Sequence, residues 1–175
     1  MRDDQPQRRG SRAIWVVAIL ALLVAANAKP QQATGSTAPK PRHHAARAVE
    51  PVAAKAVAYA RSQLGKPYLW GAEGPGAFDC SGLTWAAWRA AGLGWARMTA
   101  ADQWHALRAH TVSRSALRPG DLVFFAHRLS DWRSIHHVGL YVGDGRMAEA
   151  PHRGASVRLA SINRGGWFGA VRPTT

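Results

Sequence analysis

The residue with the clearest chemical potential is Cys80, the only cysteine of the chain, set in Phe78-Asp79-Cys80-Ser81-Gly82. A single thiol cannot close an internal disulfide, so it is either an inert buried side chain or a nucleophile. Its neighbours favour the nucleophile. Asp79 and Ser81 are residue types that start helices, Gly82 clears space, and a helical pattern follows. Cys80 is therefore expected in the first turn of a helix, where the macrodipole favours a thiolate. A cysteine nucleophile needs a base that takes its proton and returns it to the leaving amine, and histidine is the usual choice. Of the eight histidines, His136 and His137 open a strand-like run, Val138-Gly139-Leu140-Tyr141-Val142-Gly143. Adjacent strand residues face opposite sides, so one of the pair can face Cys80. His137, in phase with Gly139 and Tyr141, is the preferred one. His105, His110 and His127 lack comparable context and read as surface or packing residues.

A third group must orient the imidazole, and the hairpin after Val142 decides which residue can do so. If Gly143, Asp144 and Gly145 all form the loop, Val142 pairs with Arg146 and Gly139 lies across from Glu149. Glu149 is then diagonal to His137 on the same face, at the roughly 7–8 Å that a long side chain can span. Gly139 would leave the path open. If only Asp144-Gly145 forms the loop, the register shifts by one and Glu149 turns to the other face. His152 would then sit opposite His137. The residue types leave both registers open.

Helix signals dominate the chain N-terminal to this hairpin. Residues 51–64 predict a first helix, with Pro51 in its first turn, Val52, Ala56, Tyr59, Ala60 and Gln63 on one side, and Gly65 ending it. An aromatic loop, Lys66-Pro67-Tyr68-Leu69-Trp70-Gly71, and a Gly/Pro-rich stretch lead to the helix at Cys80. That helix carries Leu83, Ala87 and Ala90 on one face and stops at Gly92. Thr99-Ala100-Ala101-Asp102 has capping-box character and predicts a third helix with Trp104 and Leu107 toward the core. Then the period changes. Arg118-Pro119-Gly120-Asp121 is a turn signal before a strand at 122–126, and further strands are predicted at 137–142, 146–150, 156–159 and 169–172. Helices first and strands after predict an α+β domain, its N-terminal helices packed on a central antiparallel sheet.

The N-terminus carries an export address. Arg8, Arg9 and Arg12 form a basic region, residues 13–26 are an apolar run, and Ala26-Asn27-Ala28 has the small-x-small pattern of a cleavage site. The run falls short of the roughly 20 residues a membrane-spanning helix needs, so residues 1–28 are expected to be a cleaved signal peptide rather than an anchor. Residues 29–49 read as a flexible linker, with His43 and His44 a solvated pair rather than a metal site. Residues 50–175 are long enough for one domain with one core. The chain has 23 basic and 10 acidic residues, a net charge of +13, and removing the signal leaves most of the excess. Such a surface attracts polyanions. An exported protein meets anionic wall polymers or lipid headgroups rather than nucleic acid, and no zinc-finger spacing or other compact nucleic-acid motif is present.

Four ordered segments resemble the NlpC-type cell-wall cysteine peptidases of the papain-like superfamily. They are Pro67-Tyr68-Leu69-Trp70-Gly71, Phe78-Asp79-Cys80-Ser81-Gly82-Leu83, Leu117-Arg118-Pro119-Gly120-Asp121-Leu122-Val123-Phe124-Phe125 and His137-Val138-Gly139-Leu140-Tyr141-Val142-Gly143, and the match continues through residues 147–151. The resemblance implies a papain-like fold over about residues 51–173, with Cys80 as nucleophile and His137 as base. It places the third residue just before Ala150-Pro151, at Glu149. It also implies that Tyr68 lies beside the nucleophile and binds oxyanion or substrate, and that Asp79 and Ser81 contact the peptide. The implied substrate is a stem-peptide amide of bacterial peptidoglycan, between D-glutamate and the following diamino acid, cut without metal or cofactor. Secretion to the cell wall fits this role. The alternatives are a muramoyl-alanine amidase on the same scaffold and an inactive wall-binding module. Departures from the family pattern fall at Ala72, at Ala96-Arg97-Met98-Thr99 and in the long 127–135 loop, and bear on the cleft walls more than on the chemistry.

Overall fold

The structure is a computed structural model that describes residues 44–174, with side chains from Pro51 onward. The expected signal peptide at 1–28 and the linker up to residue 43 lie outside the described residues.

Helix α1 spans His44–Ser62 and passes through Pro51 instead of starting there. Residues 44–49, expected as the end of the linker, are helical, and their three alanines and one arginine are good helix formers. Pro51 itself is exposed and donates no N–H to the helix ladder. Ala53, Ala56, Ala60 and Gln63 are buried, and Gly65 turns the chain away at φ 86°. Helix α2 spans Cys80–Ala90, and every residue from Ser81 to Trp88 is buried. A one-faced helix was expected. Contacts to α1, α3 and the sheet instead cover α2 on several sides, while Ala90 ends up exposed. Helix α3 spans Ala100–Leu107, capped by Thr99, whose hydroxyl accepts from the Asp102 N–H at 3.3 Å.

The strands are β1 (Thr111–Val112), β2 (Leu122–Ala126), β3 (Ile135–Gly143), β4 (Arg146–Glu149), β5 (Arg158–Ser161) and β6 (Trp167–Val171). They form one sheet in the order β1-β6-β2-β3-β4-β5, with every neighbouring pair antiparallel. The α+β architecture is thus as expected. Strand β5 starts two residues later than expected, because the residues before it serve the aromatic loop. Tyr68 N–H donates to the Ala155 carbonyl at 2.9 Å, and Val157 N–H donates to that of Lys66 at 2.8 Å.

The β3–β4 hairpin combines the two expected registers. Its loop is the shorter one, with Gly143 paired to Arg146 and positive φ at both Asp144 (53°) and Gly145 (66°), as two-residue hairpin turns require. A bulge at Val142 then takes up one residue, so Tyr141 pairs with Met147 and Leu140 with Ala148. Glu149 therefore returns to the face of His137. The sheet is buried on both sides. Leu122, Phe124, Val138, Leu140 and Ala148 pack with the helices, while Val123, Phe125, Met147 and Ala170 form a second cluster.

Candidate active site

Cys80 is the first residue of α2, and Asp79 is its N-cap, accepting from the Gly82 N–H at 2.6 Å. The aromatic loop is fastened to this helix start. Gly71 N–H donates to Asp79 Oδ2 at 2.8 Å, and Asp79 N–H donates to the Ala72 carbonyl at 2.8 Å. A side chain at Gly82 would collide with that same carbonyl, which is why glycine follows the Cys-Ser pair. The backbone N–H groups of Val138 and Ser81 lie near enough to the Cys80 sulfur to favour its charged form. The sulfur therefore meets β3 at the residue directly after His137.

The thiol is not the stabilised thiolate expected of a helix start. Burial, reinforced by the Asp79 carboxylate, pushes Cys80 up to about 11, and the two N–H groups and Arg97 offset only part of this. Tyr68 lies close enough for the Cys80 and Asp79 charges to act on it, which adds to burial in raising its phenol, while Arg153 works the other way.

Strand alternation and the bulge deliver the other two residues. His137 and Glu149 are both buried, and His137 Nε2–H donates to Glu149 Oε2 at 2.8 Å. Burial alone would raise the Glu149 carboxyl, but the His137 bond and the charges of Arg164 and Arg158 overcome it and hold the group at about 2. Gly139 plays a different part from the one expected: its missing side chain makes room for Met147 rather than for a path from Glu149 to His137. His152 is exposed and pairs through Nδ1 with the carbonyl of Arg153, away from His137. His136 is exposed and stacks on His127 at 4.0 Å between ring centroids.

A cleft of about 820 Å³ opens at the helix start, lined among others by Trp70, Cys80, Arg97, Asp102, His105 and His136. Asp79 and Ser81 also line it, but their polar atoms are already engaged. Asp79 accepts from Gly71, Ser81, Gly82 and Arg97, and Ser81 Oγ also accepts from Arg97 Nη1 at 2.9 Å. Arg97, another residue of the cleft wall, spends its guanidinium on these two side chains and on the Met98 carbonyl. His105, expected as a bystander, stacks on Trp132 and forms part of the cleft wall. Two further residues escaped the sequence reading, Arg158 and Arg164, which bind Glu149 from the second face of the sheet at 3.0 and 2.9 Å. Arginines are so common in this chain that none stands out by type. Among the described residues no group of three or more His, Cys, Asp or Glu is placed to hold a metal ion.

The NlpC/P60 family profile matches residues 65–172, which contain every residue of this constellation. The chain belongs to the NlpC/P60 family. It is 38% identical over 106 residues to the murein DD-endopeptidase MepH of Escherichia coli, covering 60% of this chain and 38% of that protein. It is 34% identical over 105 residues to a gamma-D-glutamyl-L-lysine dipeptidyl-peptidase of Bacillus cereus, covering 60% of this chain and 30% of that one. The peptidoglycan hydrolase RipB of Mycobacterium tuberculosis superposes with a TM-score of 0.59 at 31% identity, over 78% of this chain and 69% of that structure. The NlpC/P60 fold is papain-like, as the sequence segments implied. The shared region amounts to 20–42% of the length of the curated relatives.

Proposed function

We propose that this NlpC/P60 domain is a cysteine endopeptidase that cleaves stem peptides of bacterial peptidoglycan between D-glutamate and the following diamino acid. The observation that carries the reading is the buried His137–Glu149 hydrogen bond on the strand whose Val138 N–H meets the Cys80 sulfur. With the thiol pushed up to about 11, the reaction starts from a protonated cysteine. His137 takes that proton through Nδ1, the ring nitrogen not committed to Glu149, as the sulfur attacks the amide carbonyl. Backbone N–H groups at the start of α2, with the Tyr68 hydroxyl, hold the oxyanion. His137 then protonates the departing amine, leaving a thioester on Cys80. Water, deprotonated by His137, releases the acid and restores the thiol. Glu149 stays ionised and holds the imidazole in the useful tautomer without taking its proton. Asp79 and Ser81 contribute to binding by shaping the cleft wall together with Arg97, to which both are bonded.

Residues 1–28 serve as the export signal in this reading, the remaining residues before the domain as a linker, and the basic surface as an attraction to anionic wall polymers. A second reading, cleavage of a D,D cross-link, is favoured by the name of the E. coli relative. Mass spectrometry of defined stem peptides and cross-linked dimers incubated with the protein distinguishes them. Products split after D-glutamate support the proposal. Products split at the cross-link or at the sugar–alanine amide replace it.

A further inference from the structure

We propose that Arg158 and Arg164 are positioning residues of the catalytic set, a two-guanidinium clamp that fixes the Glu149 carboxylate and, through it, the ring of His137. The inference rests on the reading of Glu149 as the third catalytic residue. Glu149 is completely enclosed, with 0% of its surface exposed. His137 alone would leave Oε1 without a partner and the carboxylate free to turn about its last torsion. The clamp closes both openings. Arg158 Nε donates to Oε1 at 3.0 Å, while Arg164 Nη1 shares Oε2 with His137 at 2.9 Å. A carboxylate gripped at both oxygens presents one fixed lone pair to the imidazole, and charge-assisted bonds of this kind are the strong ones.

The clamp is built into the strand registers. Arg158 on β5 is the direct cross-strand partner of Glu149 on β4. Arg164 follows β5, and its guanidinium lies 4.1 Å from the ring centroid of Phe125, which is the cross-strand partner of His137 on β2. Base, orienter and Arg158 are thus held by neighbouring strands, and Arg164 by the loop that follows β5. The arginines are not core residues: their side chains are 53% and 34% exposed. Their strongest bonds nevertheless converge on one buried carboxylate. That carboxylate also pairs with a buried imidazole, so the arginines act on the reaction from a position outside the cleft.

The test is a double-mutant cycle in the full-length protein on a defined stem peptide. Arg158→Gln and Arg164→Gln are measured alone and in a Glu149→Gln background. Each alone is expected to lower kcat by about tenfold or more with KM unchanged, the scale known for outer-shell partners of metal-bound imidazoles. Arg164→Lys is expected to recover part of the loss. In the Glu149→Gln background neither arginine substitution lowers kcat further, because the group they act through is gone. Full additivity in that background, or an effect on KM alone, overturns the clamp. If Glu149→Gln itself turns over like the parent, the catalytic reading of Glu149 fails and the clamp fails with it, a result visible before either arginine is changed. If Arg164→Gln does not fold, the cycle with the more exposed Arg158 carries the same decision.

Discussion

At the scale of single residues, the site is defined by two groups whose ionisation runs against first expectation. Cys80 is held as a thiol by burial and Asp79 although it opens a helix. Glu149 is held as a carboxylate at about 2 although it is enclosed. The second has a consequence for stability. The folded value lies below the ordinary 4.5, so the stabilisation is fully present above that pH and is lost as pH falls from there toward 2. The full effect is about 3 kcal/mol. Urea unfolding at pH 6 and pH 3 is expected to show a loss in the parent that Glu149→Gln reduces; equal losses in both proteins would contradict the assignment. The cysteine and histidine were legible in the sequence because each had a distinctive setting. The thiol's protonation was not, because it depends on how deeply α2 is packed, and residue types do not reveal that. The arginines at Glu149 were illegible for a related reason: their partner is set by β5 register and by a loop.

At the scale of elements, the site depends on where the chain bends. The aromatic loop and the start of α2 touch at Gly82 and Ala72, with no room for a methyl group. Gly82→Ala must force them apart. It is expected to cost about 3 kcal/mol or more in urea unfolding, and to lower activity even in the molecules that remain folded. Parent-like stability would show that this contact does not hold the nucleophile. The hairpin makes a different point. Its Gly-Asp-Gly turn was legible, and so were the two residues competing for the third position. The bulge at Val142 was not, because an extra strand residue has no signature in residue type. It combines the shorter loop with the register of the longer one. The late start of β5 has the same character, since residues 155 and 157 are drawn into bonds with the distant aromatic loop.

At the scale of the whole molecule, the proposed reaction takes its nucleophile from a helix and its base from the sheet, which makes their mutual packing part of that proposal. The C-terminal strand β6 sits inside the sheet between β1 and β2, and is fastened by Arg172 to the buried Asp121 through Nε at 2.8 Å and Nη2 at 2.9 Å. Arg172→Ala leaves that carboxylate enclosed without its charge partner. The expected loss is about 3 kcal/mol, read as a melting temperature lower by several degrees, with activity per folded molecule unchanged. An unchanged melting temperature would mean that β6 is held by its apolar contacts alone. The order of helices and strands was legible from the change of hydrophobic period. The interior place of strand β6 was not, because strand order is decided by long-range pairing.

The central claim is that Cys80 carries the reaction from the cleft at the start of α2. The most direct test is the turnover of a defined stem peptide by Cys80→Ala beside the parent, both shown to be folded. The account predicts that the substitution lowers kcat by about a thousandfold or more. Turnover by Cys80→Ala at a rate close to the parent's would contradict it.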